Sequence, residues 1–222
     1  MIARLVGSEM CIRDRKKHFF LFFISLFSSF GYLDTEVESY VDTQHKEIFG
    51  FLNNNQELLE KDKDSFLEEF EIKLSKLIPP SEISKRVMGK KFFNRASKKQ
   101  IQNFNEKFKK TLLDSYSGAL QNIEGSNIVI DSHFHPNERM DLAVVQLNTE
   151  FSGRKFKLIY KMKMIQIEGS KNWRVVGIVL DGIDLISIYR RQFASLAKEF
   201  NEDIDQVINS WSIDEDSINF EN

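Results

Sequence analysis

KFKLIYKMKM, Lys155 to Met164, settles the fold class of this chain. Phe156, Leu158, Tyr160, Met162 and Met164 fall on one side of an extended backbone, and Lys155, Lys157, Lys161 and Lys163 fall on the other. Successive side chains of a strand point to opposite faces, so this segment reads as a strand with one buried and one solvated face. A sheet wet on one side is the mark of antiparallel pairing.

Turn residues flank the strand, Ser152-Gly153 before it and Gly169-Ser170 after it. They predict consecutive hairpins and four strands: Ile128–His135, Leu142–Phe151, Lys155–Ile167 and Trp173–Asp181. Upstream of Gly125 the apolar period is helical. Thr35-Glu36-Val37-Glu38 opens a helix carrying Val37, Tyr40, Val41, Ile48 and Phe51. A second helix carries Phe66, Leu67, Phe70, Leu74, Leu77 and Ile78 and ends at Pro79-Pro80. Ser81 to Met88 is expected as a short helix stopped by Gly89. Ser97-Lys98-Lys99-Gln100 is a second capping box, opening a long helix with Ile101, Phe104, Phe108, Leu112, Tyr116 and Leu120 on one stripe. Beyond Gly182, helices are expected at about Ile183–Phe200 and Asp203–Trp211. The expected fold class is α+β: a four-stranded antiparallel sheet with one face covered by several helices.

At 222 residues the chain suits one domain behind a leader. Arg15-Lys16-Lys17, the apolar run Phe19–Phe27 and then Ser28, Ser29 and Gly31 have the order of a secretory signal. Residues 15–31 are therefore expected to be a signal peptide, and residues 1–14, which hold the sole cysteine, Cys11, a non-native extension. Residues 32–212 are expected to form a single domain and 213–222 an acidic tail. Residues 1–31 carry five of the 31 basic and two of the 33 acidic residues, leaving 26 basic against 31 acidic. A mildly acidic protein of this kind is poorly suited to nucleic acid.

No nucleophile elbow, phosphate-binding glycine loop or dinucleotide fingerprint is present, and no catalytic residue, metal or cofactor is expected. Asp131, His133 and His135 share a strand face by period, a spacing that can ligate a metal, but no further His or Cys clusters with them. The apolar faces carry more information. Ala143, Val145, Leu147 and Phe151 join the inner face of the sheet, and Ile183, Leu185, Ile186 and Ile188 cover more than one side of the next helix. Two readings stay open on the residues alone: a packed core, or a cavity for an apolar ligand in which flexible methionines suit variable chains.

Two blocks carry a family resemblance. The first is SEISKRVMGKKFFNRASKKQIQNFNEKFKKTLLDSYSGAL, Ser81 to Leu120. The second runs from Asn172 to Trp211, with Trp173 and Val175, Gly182-Ile183-Asp184-Leu185 and Tyr189-Arg190-Arg191-Gln192-Phe193 at its heart. Over residues 35–211 the chain resembles the MlaC-type periplasmic phospholipid carriers, also called the toluene-tolerance family. It departs from the pattern at Gly177, where Asp is frequent, and at Phe92 and Phe93, where Trp is frequent. The resemblance implies a soluble periplasmic shuttle, not an enzyme, that holds a phospholipid by its two acyl chains between sheet and helices. Its implied partners are an inner-membrane ABC transporter with an MCE-domain subunit and an outer-membrane lipoprotein–porin complex.

Two chains of about 16 carbons represent roughly 25 kcal/mol of hydrophobic transfer, which such a cavity must largely offset. Strand parity and helix facing predict a lipid-binding wall of Val145, Leu147, Leu158, Tyr160, Met162, Met164, Ile183, Ile186, Tyr189 and Phe193. The alternatives are a small enzyme using His133 or His135, and a structural interaction domain with a filled core. The lysine row is expected to solvate the sheet. Arg190 and Arg191 are expected in structural ion pairs, with one of them a candidate for the headgroup.

Overall fold

A computed structural model describes residues 34–120, 127–151, 153–167 and 169–213. The expected extension, the signal peptide and the tail beyond Ile213 lie outside the described residues. The fold is carried by the compact unit that begins at Val37. The helices come first: α1 (Asp34–Asn54), α2 (Gln56–Lys61), α3 (Lys63–Leu77), α4 (Pro80–Arg95) and α5 (Lys98–Leu120). Strands β1 (Asn127–Phe134), β2 (Leu142–Phe151), β3 (Arg154–Ile167), β4 (Ser170–Leu180) and β5 (Ile183–Asp184) follow, then α6 (Leu185–Glu199) and α7 (Ile204–Ser210). Among the described residues no helix is long and apolar enough to cross a membrane.

The strands form one antiparallel meander in sequence order, five strands rather than the expected four. The additional strand arises at Asp181-Gly182. Both residues have positive φ, 47° and 84°, the conformation a two-residue hairpin loop needs to match strand twist. The chain therefore folds back on β4 for two residues, pairing Ile183 with Leu180, before α6 begins. Asp184 then caps α6, accepting from the Ser187 amide at 3.0 Å, while its other oxygen takes Lys161 Nζ at 2.6 Å.

Local signals shape the helices. Ser97 and Gln100 form the reciprocal capping box, with N–H to side-chain distances of 2.9 and 3.2 Å. Gly89 kinks α4 (φ 71°) instead of ending it, and the helix resumes as far as Arg95. Arg190 Nε donates to the Arg86 carbonyl at 2.8 Å beside this kink. That contact is a cap on a helix carbonyl rather than the expected ion pair.

Two apolar cores result. In the first, Val37, Val41, Ile48 and Phe51 of α1 and Phe66 and Phe70 of α3 cover Ala143, Val145, Leu147, Tyr160, Met162, Trp173 and Val175 on the sheet. In the second, α5 and α6 close on α7 through Phe104, Phe108, Tyr189, Phe193 and Trp211. Ile78, at the bend between α3 and α4, packs against both.

Bulges set the phase of two strands. In β4 the register passes from Met162↔Val175 to Lys161↔Gly177, leaving Val176 as an extra residue. Trp173 and Val175 face inward before the bulge, and Ile178 and Leu180 face inward after it. In β1 the bulge falls at Asp131, between Ile130↔Leu147 and Ser132↔Gln146.

Candidate functional site

The two cores do not close on each other completely. Between them lies a cavity of about 370 Å³. Helix α3 contributes Phe70 and Leu74, the α3–α4 bend Ile78 and Pro80, and α4 Ile83. Phe108, Leu112 and Leu113 come from α5, Ile178 and Leu180 from β4, and Leu185, Ile186 and Tyr189 from α6. Pro79-Pro80 ends α3 and redirects the chain into α4, so the two helices wall the cavity from different directions.

Among the described residues, Glu71 and Lys109 bring charged side chains to the lining, and Ser75 and Tyr189 bring hydroxyls. Glu71 and Ser75 lie one turn apart on α3, and Lys109 Nζ reaches across from α5 to Glu71 Oε1 at 3.1 Å. Glu106 Oε2 holds the same ammonium at 2.6 Å. The side chains of Lys109 and Glu71 are 22% and 30% exposed, so this pair marks where the cavity meets solvent. Burial opposes the charge on Lys109, yet its hydrogen bonds to Glu106 and Glu71 outweigh burial and raise its pKa above the usual lysine value.

A family model described as MlaC protein matches residues 42–212. The chain belongs to the MlaC family. It is a family of binding and transport proteins rather than enzymes. A curated relative, the toluene tolerance protein ttg2D of Pseudomonas putida, is 26% identical over 166 residues, covering 75% of each chain. A solved structure from Ralstonia solanacearum, described as a phospholipid-binding protein in complex with a phospholipid, superposes with a TM-score of 0.62 at 19% identity. That match covers 80% of this chain and 93% of the other, and it shows that the two share a fold.

Within this MlaC fold, two of the ten residues expected in the wall, Ile186 and Tyr189, line the cavity. Val145, Leu147, Tyr160 and Met162 are buried in the first core, with Leu158 and Met164 packed at its edge. Phe193 is fully buried in the second core and Ile183 sits at its margin. Parity identified the inner face of the sheet correctly but not which part of that face α1 covers.

Helix α1 also brings polar groups onto the sheet. His45 Nε2 and the Tyr160 hydroxyl share a buried hydrogen bond of 3.2 Å. The Tyr40 hydroxyl donates to the Lys76 carbonyl at 2.7 Å and accepts from Arg174, whose Nη1 also reaches the Trp173 carbonyl at 2.9 Å. Burial holds His45 neutral and pushes its pKa down to about 4, against a smaller opposing pull from Asp42. As pH falls the unfolded chain takes up this proton first, so stability present above about pH 6.5 is lost progressively toward pH 4. The loss amounts to about 3 kcal/mol at most. His45→Gln is expected to flatten this part of the pH profile. Urea unfolding at pH 7.5 and 4.5 measures it, and an unchanged slope in the variant would assign the acid sensitivity elsewhere.

The two strand histidines are structural as well. His133 Nδ1 bonds Glu38 at 2.5 Å, and His135 Nδ1 donates to the Leu142 carbonyl at 2.6 Å. Asp131, displaced by the bulge, is exposed, and no group of three potential metal ligands assembles among the described residues. Arg190 and Arg191 are both exposed and do not line the cavity.

Proposed function

We propose that this protein is a periplasmic phospholipid carrier. It takes a lipid by its acyl chains into the cavity between α3, α5, α6 and β4 and moves it between the outer and inner membranes. The observation that carries this reading is the lining itself: twelve of its sixteen residues are apolar, and the charged pair Glu71 and Lys109 sits at a partly exposed edge. Such a site offers an acyl chain an apolar wall and leaves a headgroup in water. The architecture shared with a protein described as holding a phospholipid supports the same reading.

Acyl-chain contacts supply the affinity, because each buried methylene contributes about 0.8 kcal/mol. A volume of about 370 Å³ lies toward the lower end of the roughly 300–1,000 Å³ usual for small-ligand sites. A diacyl lipid is larger than such ligands, so loading widens the gap between α3 and α5, which the Lys109–Glu71 pair bridges. An inner-membrane MCE-type ABC transporter and an outer-membrane lipoprotein–porin complex are the proposed exchange partners. Secretion behind residues 15–31 places the carrier between them.

Purified protein is expected to release close to one phospholipid per chain on solvent extraction, read by mass spectrometry. A preparation that is folded, lacks lipid and takes none up from vesicles would remove the carrier function.

A further inference from the structure

The charges at the cavity mouth are not balanced. One ammonium, Lys109, sits between two carboxylates, Glu71 at 3.1 Å and Glu106 at 2.6 Å, which leaves the cluster one negative charge in excess. Glu71 and Lys109 both line the cavity, so a headgroup whose tails fill the cavity emerges among them. Ser75, a neutral lining residue one turn from Glu71, has its hydroxyl engaged with the Ile72 carbonyl at 3.1 Å. Lys109 is therefore the cation that meets the lipid phosphate at this edge.

Resting on the carrier reading, we propose that Glu71, Lys109 and Glu106 read the headgroup and favour a zwitterionic phosphate–ammonium lipid over an anionic one. When the phosphate takes Lys109, a carboxylate loses its partner. The ammonium of an ethanolamine headgroup, a few bonds from the phosphate, replaces that partner, and the cluster keeps the single excess negative charge it has when empty. A glycerol headgroup brings no cation, so its phosphate raises the excess on the cluster to two negative charges. At a partly exposed site one such mispairing shifts the preference roughly fivefold.

The test loads purified protein from vesicles holding equal amounts of phosphatidylethanolamine and phosphatidylglycerol with identical acyl chains, followed by extraction and mass spectrometry. Wild type is expected to carry roughly fivefold more of the ethanolamine lipid, a preference that collapses at about 1 M salt, where screening acts within about 3 Å. The double variant Glu71→Gln, Glu106→Gln leaves Lys109 unopposed and is expected to prefer phosphatidylglycerol. If wild type and variant carry both lipids in the vesicle ratio, the headgroup assignment is overturned while the carrier reading stands. If wild type carries neither lipid, both are overturned together.

Discussion

Leu180→Asp is expected to yield folded protein that carries no phospholipid. Leu180 is half-buried at the end of β4 and lines the cavity. Its cross-strand neighbours on the inner face are Leu158 and Ile183, neither of which supplies a cation. In the empty protein the new carboxylate faces an open cavity that water can enter, so the folded state tolerates it. An acyl chain entering the same space strips that water away, and an unpaired buried carboxylate costs several kcal/mol. That cost falls on the loaded state alone, and it corresponds to a loss of affinity on the order of a thousandfold. Extraction and mass spectrometry read the lipid, and circular dichroism with a urea midpoint reads the fold. Wild-type lipid content in a folded variant would take β4 out of the wall. Met162→Asp makes the contrast. Met162 is 1% exposed inside the first core, so a charge there is stripped of water in the empty protein too. It should lose lipid by losing the fold.

The difference between these two residues shows where sequence stops informing on structure. The period of two in β3 and of 3.6 in α5 are local properties. They placed the strand and the helix because the burial of each face follows from a few consecutive residues. The capping box at Ser97 and Gln100 was legible for the same reason, its two partners being three residues apart. In β4 that logic fails. Val175, Val176, Ile178, Val179 and Leu180 are all apolar, so no alternation records which of them face inward. The bulge at Val176 changes the phase without leaving a mark in the pattern, and Ile178 and Leu180 join the cavity wall unseen.

A second limit is long-range. Val145, Leu147, Tyr160 and Met162 share a face with the cavity-lining end of β4, and only the courses of α1 and α3, far earlier in the chain, decide that they are covered. Asp181-Gly182 was a readable hairpin signal. The returning strand is only two residues long, too short for its pattern to stand out from the start of the helix that follows.

Among truncations to alanine, the largest stability loss is expected from Trp211→Ala. Trp211 is 1% exposed and meets four aromatic rings, with centroids 5.3 Å from Phe104, 5.9 Å from Phe108, 6.2 Å from Phe193 and 6.5 Å from Tyr189. Its truncation leaves a hole that rings from two longer helices cannot close, at a cost of about 3–5 kcal/mol. Against a total stability of about 5–15 kcal/mol, this should lower the urea midpoint severely. The effect reaches the cavity, because Phe108 and Tyr189 present one side to Trp211 and the other to the lining. Lipid retention should therefore fall even at temperatures where the variant stays folded. Trp211→Phe separates packing from hydrogen bonding. The indole N–H is buried with no acceptor among the described residues, so replacing the indole removes an unsatisfied donor while keeping most of the ring. The Phe variant is expected to lose only about 1–2 kcal/mol, since it leaves a much smaller hole than Ala and removes an unsatisfied donor. A Phe variant as damaged as the Ala variant would mean that the N–H, and not the ring, holds α7 against α5 and α6.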